Sequence, residues 1–299
     1  MRRVLSVAPS LDDRAFDALV EAAAVPDEGG DAGPTIVDAR HVRWADPYGM
    51  IGLLSLGHQL GLDGERPTLQ LPESPEVISY LRRMGFLAQA ESIFELNGAP
   101  RSRQAGGSSS SVLLEITPIN SHEDVHEVIE HVQERAGAIL TERLRYSGVD
   151  AGRFSMILSE VCQNIIEHAE AGGWVGIQTY NWARRLGKQV VVIAVMDLGI
   201  GFRGSLAQEH AGRFGDRWND ATALEAAFIV GTTRFRDPGR GQGIKQIRRN
   251  VSRWGGKLSI RSGSARIADI PDWDDDAPLE QGLAHFPGSQ ILVVLPARE

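Results

Sequence analysis

At 299 residues the chain is long for one hydrophobic core and comfortable for two, and its 42% apolar and 23% charged residues exclude a disordered protein. A formal net charge of −8 argues against a protein built mainly to coat nucleic acid, and the single cysteine, Cys162, excludes an intramolecular disulfide. The longest apolar stretch, Met50 to Leu62, carries Ser55, His58 and Gln59 and falls short of the about 20 residues that span a bilayer; the N-terminal MRRVLSVAPS breaks its apolar run too early for a secretory signal, so a cytoplasmic protein is expected.

Strands and helices alternate through the first third. Arg3 to Val7 reads as a short strand. Leu11 to Val25 places Leu11, Phe16, Leu19, Val20 and Ala23 at near-helical spacing. Thr35 to Val42 reads as a buried strand, Asp46-Pro47 breaks the chain, and Tyr48 to Leu62 continues as an apolar helix. Thr68 to Leu71 is strand-like. Ser74-Pro75-Glu76 opens another helix, which Gly85 caps at its C-terminus. Such alternation predicts an α/β domain over residues 1–97 with a mostly parallel or mixed sheet. The segment NGAPRSRQAGGSSSS, Asn97 to Ser111, has no apolar periodicity and predicts a flexible linker over 98–111.

Residues 112–299 form the second predicted domain. Val112 to Ile116 reads as a strand, Ser121 to Tyr146 as a long helix, and Asp150 to Ala171 as a second helix ended by Gly172-Gly173. Strands follow at Val175–Tyr180 and Val190–Val195. The chain then reads as irregular and polar from Phe202 to Gly239. A helix is expected after Gly243, and strands at Lys257–Arg261 and Gln290–Leu295. The acidic run between Ala268 and Gly288 reads as a solvated loop.

Four pieces of this half carry chemistry. In SEVCQNIIEHA, Glu160, Asn164 and His168 recur every four residues and share one helix face. A carboxylate and an amide one turn apart can hold a hydrated Mg²⁺, and the carboxylate can act as a general base; by itself the pattern is more often a solvated polar stripe. In VVVIAVMDLGIGF an apolar strand delivers Asp197, and Gly199 and Gly201 permit a tight turn close to a ligand. A carboxylate there can accept a hydrogen bond from an exocyclic amine, as adenine offers and guanine at that edge does not. In GRGQGIKQIRR, Gly239, Gly241 and Gly243 with Arg240 and Gln242 between them precede a helix, whose exposed amides suit phosphate; glycine triplets also occur in plain loops. In GSQILVVLP, Ser289 enters a final apolar strand, where its hydroxyl can reach a base.

The order of these four pieces, on a helix, a strand end, a helix start and a strand start, resembles the GHKL ATP-binding domain of histidine kinases, type II topoisomerases, heat-shock chaperones and mismatch-repair ATPases. The resemblance implies a Bergerat α/β sandwich with one mixed sheet covered by helices. It implies ATP and Mg²⁺ as ligands, with Asn164 on the metal, Glu160 as general base, Asp197 on adenine beside Gly199 and Gly201, the three G-box glycines and Gln242 at the phosphates, and Ser289 where the family often has threonine. Residues from about 203 to 238 would be the ATP lid, in which Thr233 and Arg234 could meet phosphate. Glu167 stands where histidine kinases usually carry a basic residue, and His168 follows it, as in the anti-sigma-factor serine kinases. His122, His126 and His131 lie on a helix the domain itself needs, which disfavours a phosphoacceptor role.

The segment IVDARHVRWADPYGMIGLL resembles the STAS domain of anti-sigma-factor antagonists, with Pro47 and Tyr48 in place of the phosphoacceptor serine. Together the resemblances imply a regulatory ATPase or serine/threonine kinase-like protein that acts on or through a protein partner. Homodimer formation is compatible with them, and neither nucleic acid nor membrane is expected as a partner. A second reading, of another class, is an ATP-sensing switch without turnover.

Overall fold

The computed structural model describes residues 2–25, 34–62, 64–98, 112–165, 171–183, 186–231 and 243–298. The first part runs β1 (Val4–Ser6), β2 (Ser10–Leu11), α1 (Asp13–Ala24), β3 (Ile36–Asp38), β4 (Trp44–Ala45), α2 (Pro47–Leu60), β5 (Thr68–Gln70), α3 (Pro75–Arg83), α4 (Phe86–Ile93) and β6 (Glu95–Asn97). Strands β1, β3, β5 and β6 form a parallel sheet in that order, and β2 pairs with β4. Side-chain caps start the helices: Asp12 accepts from Ala15 N–H, Asp46 from Gly49 N–H and Ser74 from Val77 N–H, with Pro47 and Pro75 in the first turns, where a missing amide costs nothing. Gly85 follows α3 at φ 74°, the left-handed conformation expected of a C-terminal glycine stop. Helix α4 and strand β6 are additions to the predicted elements. Both are short, and neither has room for a repeating apolar pattern.

The second part runs β7 (Val112–Ile119), α5 (His122–Ala138), a π-helical turn at Ile139–Arg143, α6 (Gly148–Asn164), β8 (Gly173–Trp182), β9 (Lys188–Asp197), α7 (Gly201–Phe214), α8 (Asp220–Glu225), α9 (Gly243–Arg253), β10 (Lys257–Asp269) and β11 (Leu279–Pro296). Its sheet has the order β10-β11-β9-β8-β7. The mixed sheet expected here is instead antiparallel at every described pairing. A short connection reverses β8 into β9, the longer segment 270–278 reverses β10 into β11, and two successive helices between β7 and β8 return the chain to the end from which it left.

Three further expectations are corrected. The stretch read as irregular after Phe202 carries α7 and α8. Only Gly201 and Leu206 of α7 are buried, so the helix has no apolar stripe to reveal it. The acidic run read as a loop over 268–288 is partly a hairpin, with β10 extending to Asp269 and β11 beginning at Leu279. The long helix expected to Tyr146 ends its α-helical part at Ala138. The proposed linker lies mostly in 99–111, outside the described residues.

The five-stranded sheet is covered on both faces. Val191, Ile193 and Val195 of β9 face a core with α5, α6 and α9, whereas Val190, Val192, Ala194 and Met196 face a core with Phe16 of α1 and Met50, Ile51 and Leu54 of α2. This double burial explains why β9 reads as an unbroken apolar run rather than an alternation. Polar contacts fix the same junction: the Tyr80 and Tyr180 hydroxyls lie 2.5 Å apart, Tyr180 also donates to Ala45 O at 3.2 Å, and Ile116 N–H donates to Met84 O at 2.8 Å. Among the described residues no helix is long and apolar enough to cross a membrane.

Candidate functional site

Asp197 ends β9 at 6% exposure. Its Oδ1 accepts from Gly199 N–H at 2.9 Å, and the backbone and hydroxyl of Ser289 favour its ionised form. Burial pushes this carboxyl up to about 7, and the hydrogen bonds from Gly199 and Ser289 only partly offset that cost. Ser289 arrives beside Asp197 because Gln290 pairs with Met196 in the β11–β9 ladder.

The approach of β11 depends on Gly288, at φ 74°, where a Cβ would overlap the Asp197 carbonyl and lie 2.7 Å from its Oδ1. The turn after Asp197 is equally tight. At Gly201, φ 62°, a Cβ would sit 2.5 Å from Ser262 Oγ and 2.9 Å from Gly288 O. Ser262 Oγ accepts from Phe202 N–H at 3.1 Å and donates to Gly288 O at 2.8 Å. The end of β9 and the middle of β11, where its pairing with β9 begins, thus hold one carboxylate and one hydroxyl, a donor–acceptor pair suited to the edge of a base.

Helix α6 carries the second group of residues. The Ser147 hydroxyl caps it by accepting from Asp150 N–H at 3.1 Å, and Phe154, Ile157, Leu158, Val161 and Cys162 bury its inner face. Glu160 and Asn164 lie half-buried on the other flank. Glu160 Oε2 abuts Gly243, the first residue of α9, so closely that a Cβ there would overlap it. The carboxylate therefore lies against a helix N-terminus, where the backbone field favours negative charge. Asn164 Nδ2 is buried without a hydrogen-bond partner among the described residues. Ile165, the next residue, reaches Gly173, which lies opposite Asp197 in the β8–β9 ladder. Both groups consequently occupy one end of the sheet.

Asp197, Gly199, Gly201 and Ser289 are brought together, as are Glu160, Asn164 and Gly243. His168, Thr233, Arg234, Gly239, Arg240, Gly241 and Gln242 lie outside the described residues. Ser262 was not legible as a site residue, because its part follows from pairing with Ser289 across β10–β11 and no local motif marks it. Cys162 is buried, which pushes its thiol up to about 12 and makes it a core side chain rather than a nucleophile.

A family described as histidine kinase-, DNA gyrase B-, and HSP90-like ATPase matches residues 149–298. That range, half of the chain, holds every residue of both groups. Among solved structures, the mycobacterial sensor histidine kinase MprB is 20% identical over 60% of this chain and 97% of its own, with a TM-score of 0.28. The histidine kinase domain of the Erythrobacter litoralis EL346 blue-light activated histidine kinase is 13% identical over 74% of this chain and 84% of its own, with a TM-score of 0.27. Scores this low carry no structural argument. No curated protein matches the sequence.

Proposed function

The chain belongs to the histidine kinase-, DNA gyrase B- and HSP90-like ATPases, and on that premise we propose that it is a Mg²⁺-dependent ATPase or serine/threonine kinase-like regulator acting on or through a protein partner. The observation that carries the reading is the buried Asp197–Ser289 pair where β9 ends beside β11, with Gly199, Gly201 and Gly288 clearing its approach. Asp197 accepts from the adenine amine, and Ser289 supplies the adjoining hydroxyl. The unsatisfied amide of Asn164 fits a polar ligand at this end of α6, and turning it presents its oxygen to a hydrated metal. When bound, Mg²⁺ neutralises charge on the phosphate oxygens. Glu160 orients a water, or a serine or threonine hydroxyl of the partner, and takes its proton. The first turn of α9, with its preceding glycines and Arg234 of the lid, receives phosphate.

The first 97 residues serve as a STAS-like docking module in this account. Tyr48 is 2% exposed and Pro47 is also buried, so the turn that carries serine in antagonist proteins offers no accessible hydroxyl here.

One observation favours the second reading, a nucleotide-sensing switch without turnover. Glu160 lies against the α9 N-terminus, the position phosphate would take, so nucleotide arrival displaces it and can signal through α6 and α9. Glu160→Gln separates the two readings. For an enzyme, phosphate release or transfer falls by about 10²-fold or more, with calorimetric ATP affinity retained. Wild-type protein that binds ATP yet neither releases nor transfers phosphate, with or without its partner, leaves the switch.

A further inference from the structure

We propose that Asp17, on the N-terminal helix α1, is a positioning residue for the adenine end of the site and acts through Arg261, so that nucleotide affinity depends on how the N-terminal half is docked. The inference rests on the nucleotide reading of Asp197 and Ser289.

Arg261 is 1% exposed, a fully buried guanidinium in β10 next to Ser262. Its Nε donates to Asp17 Oδ1 at 3.1 Å, and Arg266 Nη2 donates to the other carboxylate oxygen while its Nη1 donates to Glu280 Oε2 at 2.8 Å, so Asp17 bridges two nearly buried cations of which Arg266 has a second carboxylate partner. The remaining guanidinium nitrogens turn toward the segment that delivers Ser289. Arg261 Nη2 donates to Ala284 O at 2.5 Å, and Nη1 donates at 3.3 Å both to Gln290 Oε1 and to Gly263 O. Gln290, itself fully buried, donates from Nε2 to Pro287 O at 2.8 Å. The guanidinium also lies over the edge-to-face pair of Phe16, from α1, and Phe286, at 5.8 and 5.9 Å from their centroids.

Residues 284–290 are therefore held at three points, Ala284, Pro287 and Gln290, by a network whose far anchor is in the N-terminal half. Gly288, whose carbonyl Ser262 takes from the opposite side, lies within that segment. An ordinary salt bridge between two halves would add stability and leave the site alone. This one shares its arginine with the backbone that presents Ser289. Removing the Asp17 charge leaves buried Arg261 without a carboxylate partner, while Arg266 keeps Glu280, and Arg261 must then reorient, releasing Ala284 and Gln290. By linkage, a partner that shifts α1 weakens nucleotide binding, and nucleotide in turn resists that shift.

The experiment uses the full chain as wild type, Asp17→Asn and Asp17→Glu, with Mg·ADP titrated by calorimetry between pH 6 and 8 and hydrogen exchange followed over 284–290. Asp17→Asn is expected to bind on the order of tenfold more weakly, to move the midpoint of the pH profile governed by Asp197, and to exchange faster over 284–290. Affinity, pH profile and exchange equal to wild type overturn the proposal. If Asp17→Asn fails to fold, Asp17→Glu, which moves the same charge by one methylene, is read in the same way, and wild-type behaviour again overturns it. Wild-type protein that binds no Mg·ADP overturns the nucleotide reading itself. Exchange over 284–290 then still decides whether Asp17 orders this segment.

Discussion

Asp197 shows how a single residue acquires a measurable signature from its surroundings. In water this carboxyl would be ionised at neutral pH; at 6% exposure burial holds it at about 7, despite donors from Gly199 and Ser289. The raised value has a sign for stability. The folded state keeps a proton that the unfolded chain releases, so this residue's contribution is fully present below pH 3.8 and is lost as the pH rises towards 7. On the proposed reading it has the opposite sign for binding, because an adenine amine would donate to the ionised form. Nucleotide affinity should rise by up to about tenfold per pH unit below 7 and level off above it, and Asp197→Asn should be weak and lack that rise. Calorimetry of both proteins across pH 6–8, compared as a ratio so that titration of the nucleotide cancels, checks this. Parallel profiles would remove Asp197 from the base-binding role.

At the level of elements, the end of β9 and its close approach to β10 and β11 make the site, and glycine is what lets them meet. Gly288→Ala puts a Cβ into the Asp197 carbonyl at a φ of 74°, so the variant should lose at least about 1 kcal/mol of stability and most of its nucleotide affinity. Thermal melts and a nucleotide titration read both effects; a variant that melts and binds like wild type would contradict the packing described here. What was legible in the sequence follows the same division. Asp197 with its glycines, and Glu160 with Asn164, were readable because each is a local pattern on one element. Ser262 and Arg261 were not, because their roles arise from the β10–β11 register, which joins Ser262 to Ser289 and Arg261 to Gln290 across the hairpin. Helix α7 escaped because a helix with almost no buried face leaves no apolar period. The antiparallel course of the second sheet depends on how many helices separate its strands, a tertiary property that element spacing alone does not reveal.

Across the whole molecule, the apolar run of β9 was a clue to more than a strand. Met196 and its alternate neighbours needed a second layer, and α1 and α2 of the N-terminal part supply it. The site end of the sheet is thus backed by one half and built by the other, and the Asp17–Arg261 pair lies on the boundary. That arrangement suits a regulator in which docking and nucleotide binding share structure. The central claim is that this scaffold takes an adenine nucleotide at Asp197 and Ser289. Titrating the full chain with ATP and, separately, with GTP in the presence of Mg²⁺ tests it most directly. Saturable binding of one ATP per chain is expected, with affinity for GTP weaker by about 100-fold or more, since the oxygen on that edge of guanine meets the carboxylate in place of an amine. Equal binding of the two nucleotides, or none of ATP, would contradict it.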